Sequence, residues 1–485
     1  MLFAPCTVRK ASLSPYDSRV RFTPNLAAFA EGSVVFERHT TEAEQSGTAF
    51  ASLFSGVQAP RHGVYSHPAR LPDELQLVSE TFAAKGYESW FWSGHPMAGS
   101  LLNYGQGVPP ERVHLHQRSR LEQVRPEDAM TWTANGPEFD DLLDGLAKDR
   151  SRRAFVQIDF TLSHGPYYRF CTKEQVAAFC REFPERAGGI TSEELERFQK
   201  LFEEHWLEWQ WDFPETARRV GLTREDRAKL ALTMQVFYET DLRELDRLFG
   251  MFLERIRGRG LLDDSLVVFT SDHGEVLDRD NVLFHWTHGL QLAPESLDVP
   301  LIVHAPRLLK PGRYSQVTRS IDVHRTLAGL CGIATPDPSS TVIDGVDLSP
   351  ALLGQRAPPE LLAFSHSTVP GAIQFDSLKR FAQVTAYFPR SDPALLSVRV
   401  RSADLVCKLR NLGEEKFGFE LFDLARDPEE TRNIFDRRQP AHADLARALD
   451  SYKAELVRGF ERIDAARRLS RDEEEGRLRS LGYVK

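Results

Sequence analysis

A helix, a tight turn and a short apolar run follow one another in residues 238–270, and this order restricts the fold more than any other feature of the chain. In Tyr238–Leu253 the apolar side chains recur at helical spacing. The turn Gly258–Gly260 leads into Ser265–Thr270, whose apolar and β-branched residues lack polar alternation, as in strands that are covered on both faces. The segment therefore predicts one αβ unit of a parallel sheet.

Further elements are predicted on both sides of this unit. Residues 171–235 are polar and aromatic without a strand signal, so they are expected to form helices as an insertion or cover. A single core stops growing near about 250–300 residues, so the 485-residue chain is expected to hold a large domain and a smaller one. The boundary is predicted near residues 350–360. Patterns elsewhere predict strands at 32–36, 86–92, 154–160 and 299–303 and a helix at 323–330.

The overall composition argues against several classes of protein. Lys and Arg number 61 against 70 Asp and Glu, a net charge of −9, so the balance does not indicate a nucleic-acid partner. No apolar run approaches the roughly 18 residues of a membrane span, and the opening residues lack a signal-peptide pattern. The chain as written is therefore predicted to be cytoplasmic. Its five scattered cysteines do not indicate a disulfide framework.

The segment Phe269–Glu275, FTSDHGE, carries the first candidate site residues. It follows the buried strand, so Asp272 and His273 are expected at the carboxyl end of the sheet, where open α/β sheets bind ligands. A carboxylate and an imidazole side by side can bind one divalent cation. A turn with a polar cap is the alternative interpretation for this segment taken alone.

Further motifs follow one another from the start of the chain to its end. They are TPNL at 23–26, SGTAFASLFSG at 46–56, RHGV at 61–64, SHGPY at 163–167, YETDLRELDR at 238–247, HG at 288–289, VPLI at 299–302, DGVDL at 344–348, the segment 420–433, and LRSLGYV at 478–484. Together with Asp272 and His273 these motifs resemble the sulfatase family, arylsulfatase-like, of the alkaline phosphatase superfamily. The resemblance implies an α/β fold. It consists of a large doubly wound mixed sheet with helices on both faces over residues 1–355 and a smaller C-terminal α+β subdomain over 356–485, ending in a helix.

The same resemblance implies roles for individual residues. Ser46, ten residues before Gly56, stands at the nucleophile position. Asp272 and His273 match the metal pair, which would hold Ca²⁺, Mn²⁺, Mg²⁺ or Zn²⁺. His164 would bind the anionic oxygens of the substrate.

The resemblance also implies a histidine that lies beside the ester. His288, beside Gly289, would contact or protonate the leaving oxygen, which is the task of a general acid. His285 is the alternative for this role, because the intervening loop has an irregular length. The implied substrate is an anionic sulfate or phosphate ester.

The chain departs from the family at the oxidation signal around Ser46. Many relatives convert this residue to formylglycine within a Cys/Ser-x-Pro/Ala-x-Arg signal, whereas here Thr48 and Phe50 occupy the third and fifth positions. Formylglycine is therefore not expected. An unmodified Ser46 can still attack an ester if a metal lowers its pKa. Thr48 is a weaker candidate nucleophile.

A second departure lies at the start of the chain. In an ungapped match, Cys6 replaces the first metal-binding Asp of the family and Ala11 replaces a later Asp. Pro5 suits an edge strand or a truncated strand rather than a central one. Two interpretations stay open for Cys6: the site has lost a ligand, or a thiolate replaces the carboxylate and shifts the preference toward zinc.

These observations favour a metal-dependent hydrolase of sulfate or phosphate esters with Ser46 as the nucleophile. Two alternatives remain. The first is a catalytically silent relative that binds an anionic ligand or a partner protein, which the two departures support. The second is a phospho- or sulfotransferase that passes the group from Ser46 to an acceptor alcohol.

Overall fold

The computed structural model describes residues 1–65, 69–95, 97–115, 129–130, 132–211, 213–277, 285–289, 291–335, 344–370, 391–412 and 415–460. The helices are α1 Pro24–Glu31, α2 Ser46–Ser55, α3 Ala59–His62, α4 Val78–Ala83, α5 Pro137–Lys148, α6 Lys173–Glu182, α7 Pro184–Ala187, α8 Ser192–Glu204, α9 Trp206–Trp211, α10 Phe213–Arg219, α11 Arg224–Gly258, α12 Pro294–Leu297, α13 Ser320–Leu330, α14 Ser349–Leu352 and α15 Pro440–Phe460. The strands are β1 Leu2–Pro5, β2 Val34–Thr40, β3 Glu88–Gly94, β4 Val113–Leu115, β5 Ala154–Phe160, β6 Val267–Thr270, β7 Leu301–His304, β8 Gly312–Arg319, β9 Ala363–Pro370, β10 Ser391–Arg401, β11 Leu405–Leu412 and β12 Glu415–Asp423.

The larger sheet has eight strands in the described part of the chain, in the order β4-β3-β5-β1-β6-β7-β2-β8. It is mixed, because β7 runs antiparallel to both of its neighbours whereas β1, β3, β4, β5 and β6 pair in parallel. Side chains of β1 alternate between the two faces, so Phe3 packs against Phe249 of α11 while Leu2 joins the core formed with Phe50 of α2 and Val323 of α13. Helices therefore cover both faces, and the predicted fold class is confirmed.

The predicted αβ unit is present and longer than expected. Helix α11 begins at Arg224 because Thr223 caps it: the Thr223 hydroxyl oxygen accepts a hydrogen bond from the Asp226 N–H, and the Asp226 carboxylate accepts one from the Thr223 N–H. The helix leads into β6, as the sequence pattern indicated. Between 171 and 235 the described residues form helices and no strand, as expected. No helix in the described ranges is both long enough and apolar enough to cross a bilayer.

The expectation that Pro5 marks an edge strand is wrong, because β1 lies in the middle of the sheet. Its pairing with β6 ends at Phe3, whereas its pairing with β5 continues to the Cys6 N–H, which donates to the Phe160 carbonyl at 2.8 Å. Successive residues of a central strand bond alternately to the two neighbours. The N–H that Pro5 lacks would have pointed toward β6, where the ladder has already ended, so proline costs no hydrogen bond there.

The smaller sheet is antiparallel, in the order β12-β11-β10-β9, and α15 packs on it. Leu449 and Leu456 of α15 share one core with Val398 and Val400 of β10. This is the expected C-terminal α+β subdomain, and α15 is its last described helix. Residues 461–485, which include the predicted terminal motif, lie outside the described residues. The domain limits 1–355 and 356–485 stay predictions.

Candidate active site

The predicted site residues meet at the carboxyl ends of the central strands. Cys6 follows β1, Asp272 and His273 follow β6, and Ser46 is the first residue of α2. All four side chains are at most 1% exposed. Loops that leave neighbouring strands of a sheet converge at such an edge, which is where open α/β sheets bind ligands.

The hydroxyl of Ser46 is held by His273. Ser46 Oγ lies 3.0 Å from His273 Nε2, and His273 Nδ1 lies 2.8 Å from the Gly274 carbonyl oxygen. A carbonyl oxygen only accepts, so Nδ1 carries a proton and Nε2 presents a lone pair to Ser46. Burial lowers the pKa of His273, against the opposing charge of Asp272, so the neutral ring is favoured.

Helix α2 places Ser46 at its amino end, where free N–H groups and the helix dipole favour anions. The helix is buried along its whole length and is capped after Ser55 by Gly56, which adopts φ +73°. A Cβ at Gly56 would lie 3.2 Å from the Ile321 carbonyl oxygen, so glycine is required there both by φ and by the close approach of α13. Packing at its far end therefore fixes the helix that presents Ser46.

Asp272 directs one carboxylate oxygen toward this centre. Its Oδ1 accepts from the backbone N–H groups of Thr7 and His273, at 3.2 and 2.7 Å. Its Oδ2 has no hydrogen-bond partner among the described residues and lies 3.4 Å from His273 Nε2. Burying a carboxylate oxygen without a partner costs free energy unless a cation binds to it. The residues present therefore fit a bound divalent cation.

Cys6 and His95 join the same cluster. Donor atoms of Cys6, His95 and Asp272 lie within 4.8 Å of one another. His95 Nδ1 accepts from the Met97 N–H at 3.1 Å, so in the neutral ring the proton is on Nε2. The motifs did not point to His95. His95 directly follows β3, a predicted strand whose carboxyl end reaches the same edge of the sheet. Its position after that strand is the only sequence feature that indicates a place in the site.

The His288 ring contacts the His273 ring, with centroids 4.2 Å apart, and the His164 ring contacts His288 at a centroid distance of 4.7 Å. His288 Nδ1 is 3.1 Å from Glu275 Oε1, an interaction that no motif indicated although Glu275 ends the FTSDHGE segment. Burial raises the pKa of Glu275 to about 7, although His273 acts in the opposite direction. The alternative residue His285 instead packs against Phe213 of α10, with centroids 5.0 Å apart.

Glu44 fixes the loop that carries His288, and no recognised motif contains it. Its carboxylate accepts hydrogen bonds from the N–H of Gln291 at 3.1 Å, from the N–H of Ala293 at 2.9 Å and from the Ser296 hydroxyl. Glu44 precedes α2 by two residues. One buried carboxylate therefore ties the segment that leads to the Ser46 helix to the segment that carries His288.

The helices of 171–235 cover the site with aromatic side chains. Phe202 of α8 contacts Trp286, which stands two residues before His288 in the chain, with centroids 5.3 Å apart. A Cβ at Gly165, the neighbour of His164, would lie 2.7 Å from the Trp206 ring. The aromatic side chains at Phe202 and Trp206 thus pack on the loops that hold both histidines, and His164 and His288 are buried beneath them.

Comparison with known proteins gives consistent results. A family model described as Sulfatase matches residues 7–333. Choline-sulfatase of Rhizobium meliloti is 24% identical over 383 residues, 70% of this chain and 69% of that protein. Human arylsulfatase A is 28% identical over 444 residues, 88% of this chain and 81% of that protein. A structure from work on glycosaminoglycan metabolism by Bacteroides thetaiotaomicron superposes with a TM-score of 0.66 and 17% identity, covering 97% of this chain and 99% of that chain.

Proposed function

This chain belongs to the sulfatase family, a family of sulfuric ester hydrolases, and we propose that it is a metal-dependent hydrolase of sulfate or phosphate esters with an unmodified Ser46 as its nucleophile. The observation that carries the proposal is the position of Ser46 Oγ. It lies at the amino end of α2, 3.0 Å from His273 Nε2. That nitrogen is in turn 3.4 Å from Asp272 Oδ2, which has no hydrogen-bond partner in the described part of the chain. A nucleophile, an anion-binding helix end and cation ligands share one small space.

Asp272 and His273 would hold the cation, which when bound neutralises the ester oxygens and lowers the pKa of the Ser46 hydroxyl. Nε2 of His273 has a single lone pair, which would bind the cation, and the 3.0 Å distance from Nε2 to Ser46 Oγ places the hydroxyl beside that position. Attack by Ser46 Oγ forms a bond to sulfur or phosphorus and releases the hydroxyl proton to solvent, while the bond to the leaving oxygen breaks and that oxygen takes a proton from His288. Water then releases the acid from the serine ester.

Two histidines can bind the anionic oxygens of the ester, in different protonation states. His95 carries its proton on Nε2 when neutral, because Nδ1 accepts from Met97. His164 Nδ1 lies 2.7 Å from the Gly165 carbonyl oxygen, so its Nε2 can donate to an anion only when the ring is protonated. The neutral donor His95 therefore joins His164, the anion-binding residue expected from the motifs.

His288 would serve the leaving oxygen. Its Nδ1 faces the carboxylate of Glu275, which stabilises the protonated imidazole and fixes the ring orientation. Nε2 of the protonated ring can give its proton to the departing oxygen. Glu275 acts through His288 and is a positioning residue in this scheme.

An assay with and without metal tests the proposal. Hydrolysis of 4-nitrophenyl sulfate or 4-nitrophenyl phosphate should be lost on chelation and restored by a divalent cation. Asp272→Asn should weaken metal binding at least about 100-fold, because the charge on a direct ligand disappears. Its amide oxygen can still accept from the Thr7 and His273 N–H groups, so the melting temperature should change little. Asp404→Asn, at a side chain that is 77% exposed, is the matched control.

Two outcomes of this assay would favour the alternatives. A purified chain that binds no divalent metal and turns over neither ester would be the catalytically silent relative. Product appearing on an added alcohol in place of free sulfate or phosphate would identify a transferase.

Glu275→Gln should reduce kcat about 10- to 100-fold for alkyl esters, because general acid catalysis contributes about 10²–10⁴-fold and the amide cannot stabilise protonated His288. For 4-nitrophenyl esters, whose leaving group needs no proton, the loss should be much smaller. The measurement is the slope of log kcat against leaving-group pKa, which should become steeper in the variant. An equal loss for every leaving group would indicate a merely structural role for Glu275.

A further inference from the structure

The donors around Ser46 are chemically mixed. Cys6 Sγ lies 3.9 Å from His273 Nε2, His273 Nε2 lies 3.4 Å from Asp272 Oδ2, and Cys6 is within 4.8 Å of a carboxylate oxygen of Asp272. We propose that Cys6, Asp272 and His273 form a Zn²⁺ site that discriminates against Ca²⁺ and Mg²⁺. This inference rests on the proposed function, in which a divalent cation binds beside Ser46.

The argument begins with ligand type. Zn²⁺ is bound in proteins by thiolate, imidazole and carboxylate, whereas Ca²⁺ takes six to eight oxygens and Mg²⁺ an octahedron of oxygens. In this set only Asp272 offers oxygen. Two ligands of one zinc ion, at about 2.0–2.3 Å from it, are at most about 4.6 Å apart. The distances from His273 Nε2 to Cys6 Sγ and to Asp272 Oδ2, 3.9 and 3.4 Å, lie within this limit, and Cys6 Sγ is within 4.8 Å of one Asp272 oxygen.

The second step concerns which ring nitrogen of His273 carries the proton. Its Nδ1–H donates to the Gly274 carbonyl at 2.8 Å, so Nε2 carries the lone pair that a metal requires. His95 has the opposite arrangement, because its Nδ1 accepts from Met97 and its Nε2 carries the proton. The hydrogen bonds thus select His273 as the ligand and leave His95 for an anion.

The third step is the rigidity of Cys6. Its N–H donates to Phe160 at 2.8 Å and its carbonyl accepts from the Ser163 hydroxyl at 2.7 Å, so the backbone is held on both sides. Its Sγ lies 3.5 Å from Ser46 Oγ. Three protein ligands would leave a fourth coordination position, and catalytic zinc sites keep one position open.

Metal titration of the chelated full chain tests the assignment. Zn²⁺ should bind at least about 100-fold more tightly than Ca²⁺ or Mg²⁺. Co²⁺, used as a spectroscopic substitute, should give a near-ultraviolet thiolate-to-metal absorption band. Cys6→Ser should abolish the band and weaken Zn²⁺ binding at least about 100-fold. Cys6→Asp should reduce the preference for Zn²⁺ and raise the affinity for Ca²⁺ and Mn²⁺. Cys180→Ser, at a half-buried cysteine of α6, should change none of these values.

The cobalt spectrum of the unaltered chain does not depend on whether any variant folds. No thiolate band, or Ca²⁺ bound as tightly as Zn²⁺, would overturn the zinc site even if Ser46-dependent hydrolysis were found. A thiolate band that is lost in Cys6→Ser would support the zinc site even if no ester were hydrolysed, in which case the proposed function alone would fail.

Discussion

Ser46→Ala is expected to lower kcat for ester hydrolysis on the order of 10⁴-fold or more, with a small change in KM. Removing a nucleophile eliminates the covalent route, whereas the cation ligands and the α2 amino end still bind the substrate. Steady-state kinetics on 4-nitrophenyl esters measures the effect. Thr48→Ala is the matched control, because Thr48 is buried in the same helix and its hydroxyl has no hydrogen-bond partner among the described residues. Its kcat should change less than about threefold.

The mass of the peptide that contains Ser46 completes this test. The third and fifth positions of the oxidation signal are Thr48 and Phe50, and both side chains are buried inside α2. The peptide should therefore have the mass of unmodified serine. A lower mass, as for an aldehyde, would contradict the nucleophile proposed here. Full activity in Ser46→Ala would exclude it as well.

Asp298→Ala is expected to lower the free energy of unfolding by about 3–5 kcal/mol, because the buried Arg401 and the partly buried Lys10 lose the carboxylate they pair with. Arg399 keeps its ion pair with Glu430. Asp298 Oδ1 is 2.5 Å from Arg401 Nη1 and 3.9 Å from Arg399 Nη2, and its Oδ2 is 4.0 Å from Lys10 Nζ. Burial alone would raise the pKa of Asp298, but the charges of Arg401, Lys10 and Arg399 outweigh it and hold the pKa below its ordinary value. Both arginines come from β10, so the contact joins the smaller sheet to the larger domain.

Denaturant unfolding at several pH values checks this prediction. Because the pKa is lowered in the folded state, the stabilisation is present above the ordinary pKa of Asp298 and disappears as pH falls through the lowered value. The difference between the unaltered chain and Asp298→Ala should therefore be full at neutral pH and shrink in acid. Asp404→Ala, at an exposed pair with Arg38, should cost less than about 1 kcal/mol. Equal losses of stability in the two variants would show that the Asp298 cluster stabilises the fold no more than an exposed ion pair does.

Local pattern was enough to predict much of the fold. Ala154–Phe160 and the helix before β6 could be predicted because periodicity and β-branched residues act within a few positions of the chain. Pro5 was misjudged because a strand's place in the sheet depends on partners far away in sequence. The propensity of proline for edges says nothing about where the β1–β6 ladder stops.

For the site, motifs identified residues but not their partners. The structure brings Ser46, Asp272 and His273 together as expected, whereas Glu44 and His95 were missed because neither belongs to a motif that was recognised. The sequence alone could not decide whether Cys6 is a lost ligand, because the distance from Cys6 to His273 depends on the tertiary structure. The roles of all these residues stay predictions until the variants are measured.

The central position of β1 also has a consequence for how the chain acquires its fold. Strand β1 pairs with β5 and β6, which lie far later in the sequence, and the Ser271 hydroxyl donates to the Pro5 carbonyl across 266 residues. A nascent chain therefore cannot close its main sheet until Thr270 has left the ribosome. Such high contact order slows folding and leaves apolar β1 exposed in the meantime. The need for chaperones during synthesis should therefore depend on how late the central strands pair, and less on the edge strands.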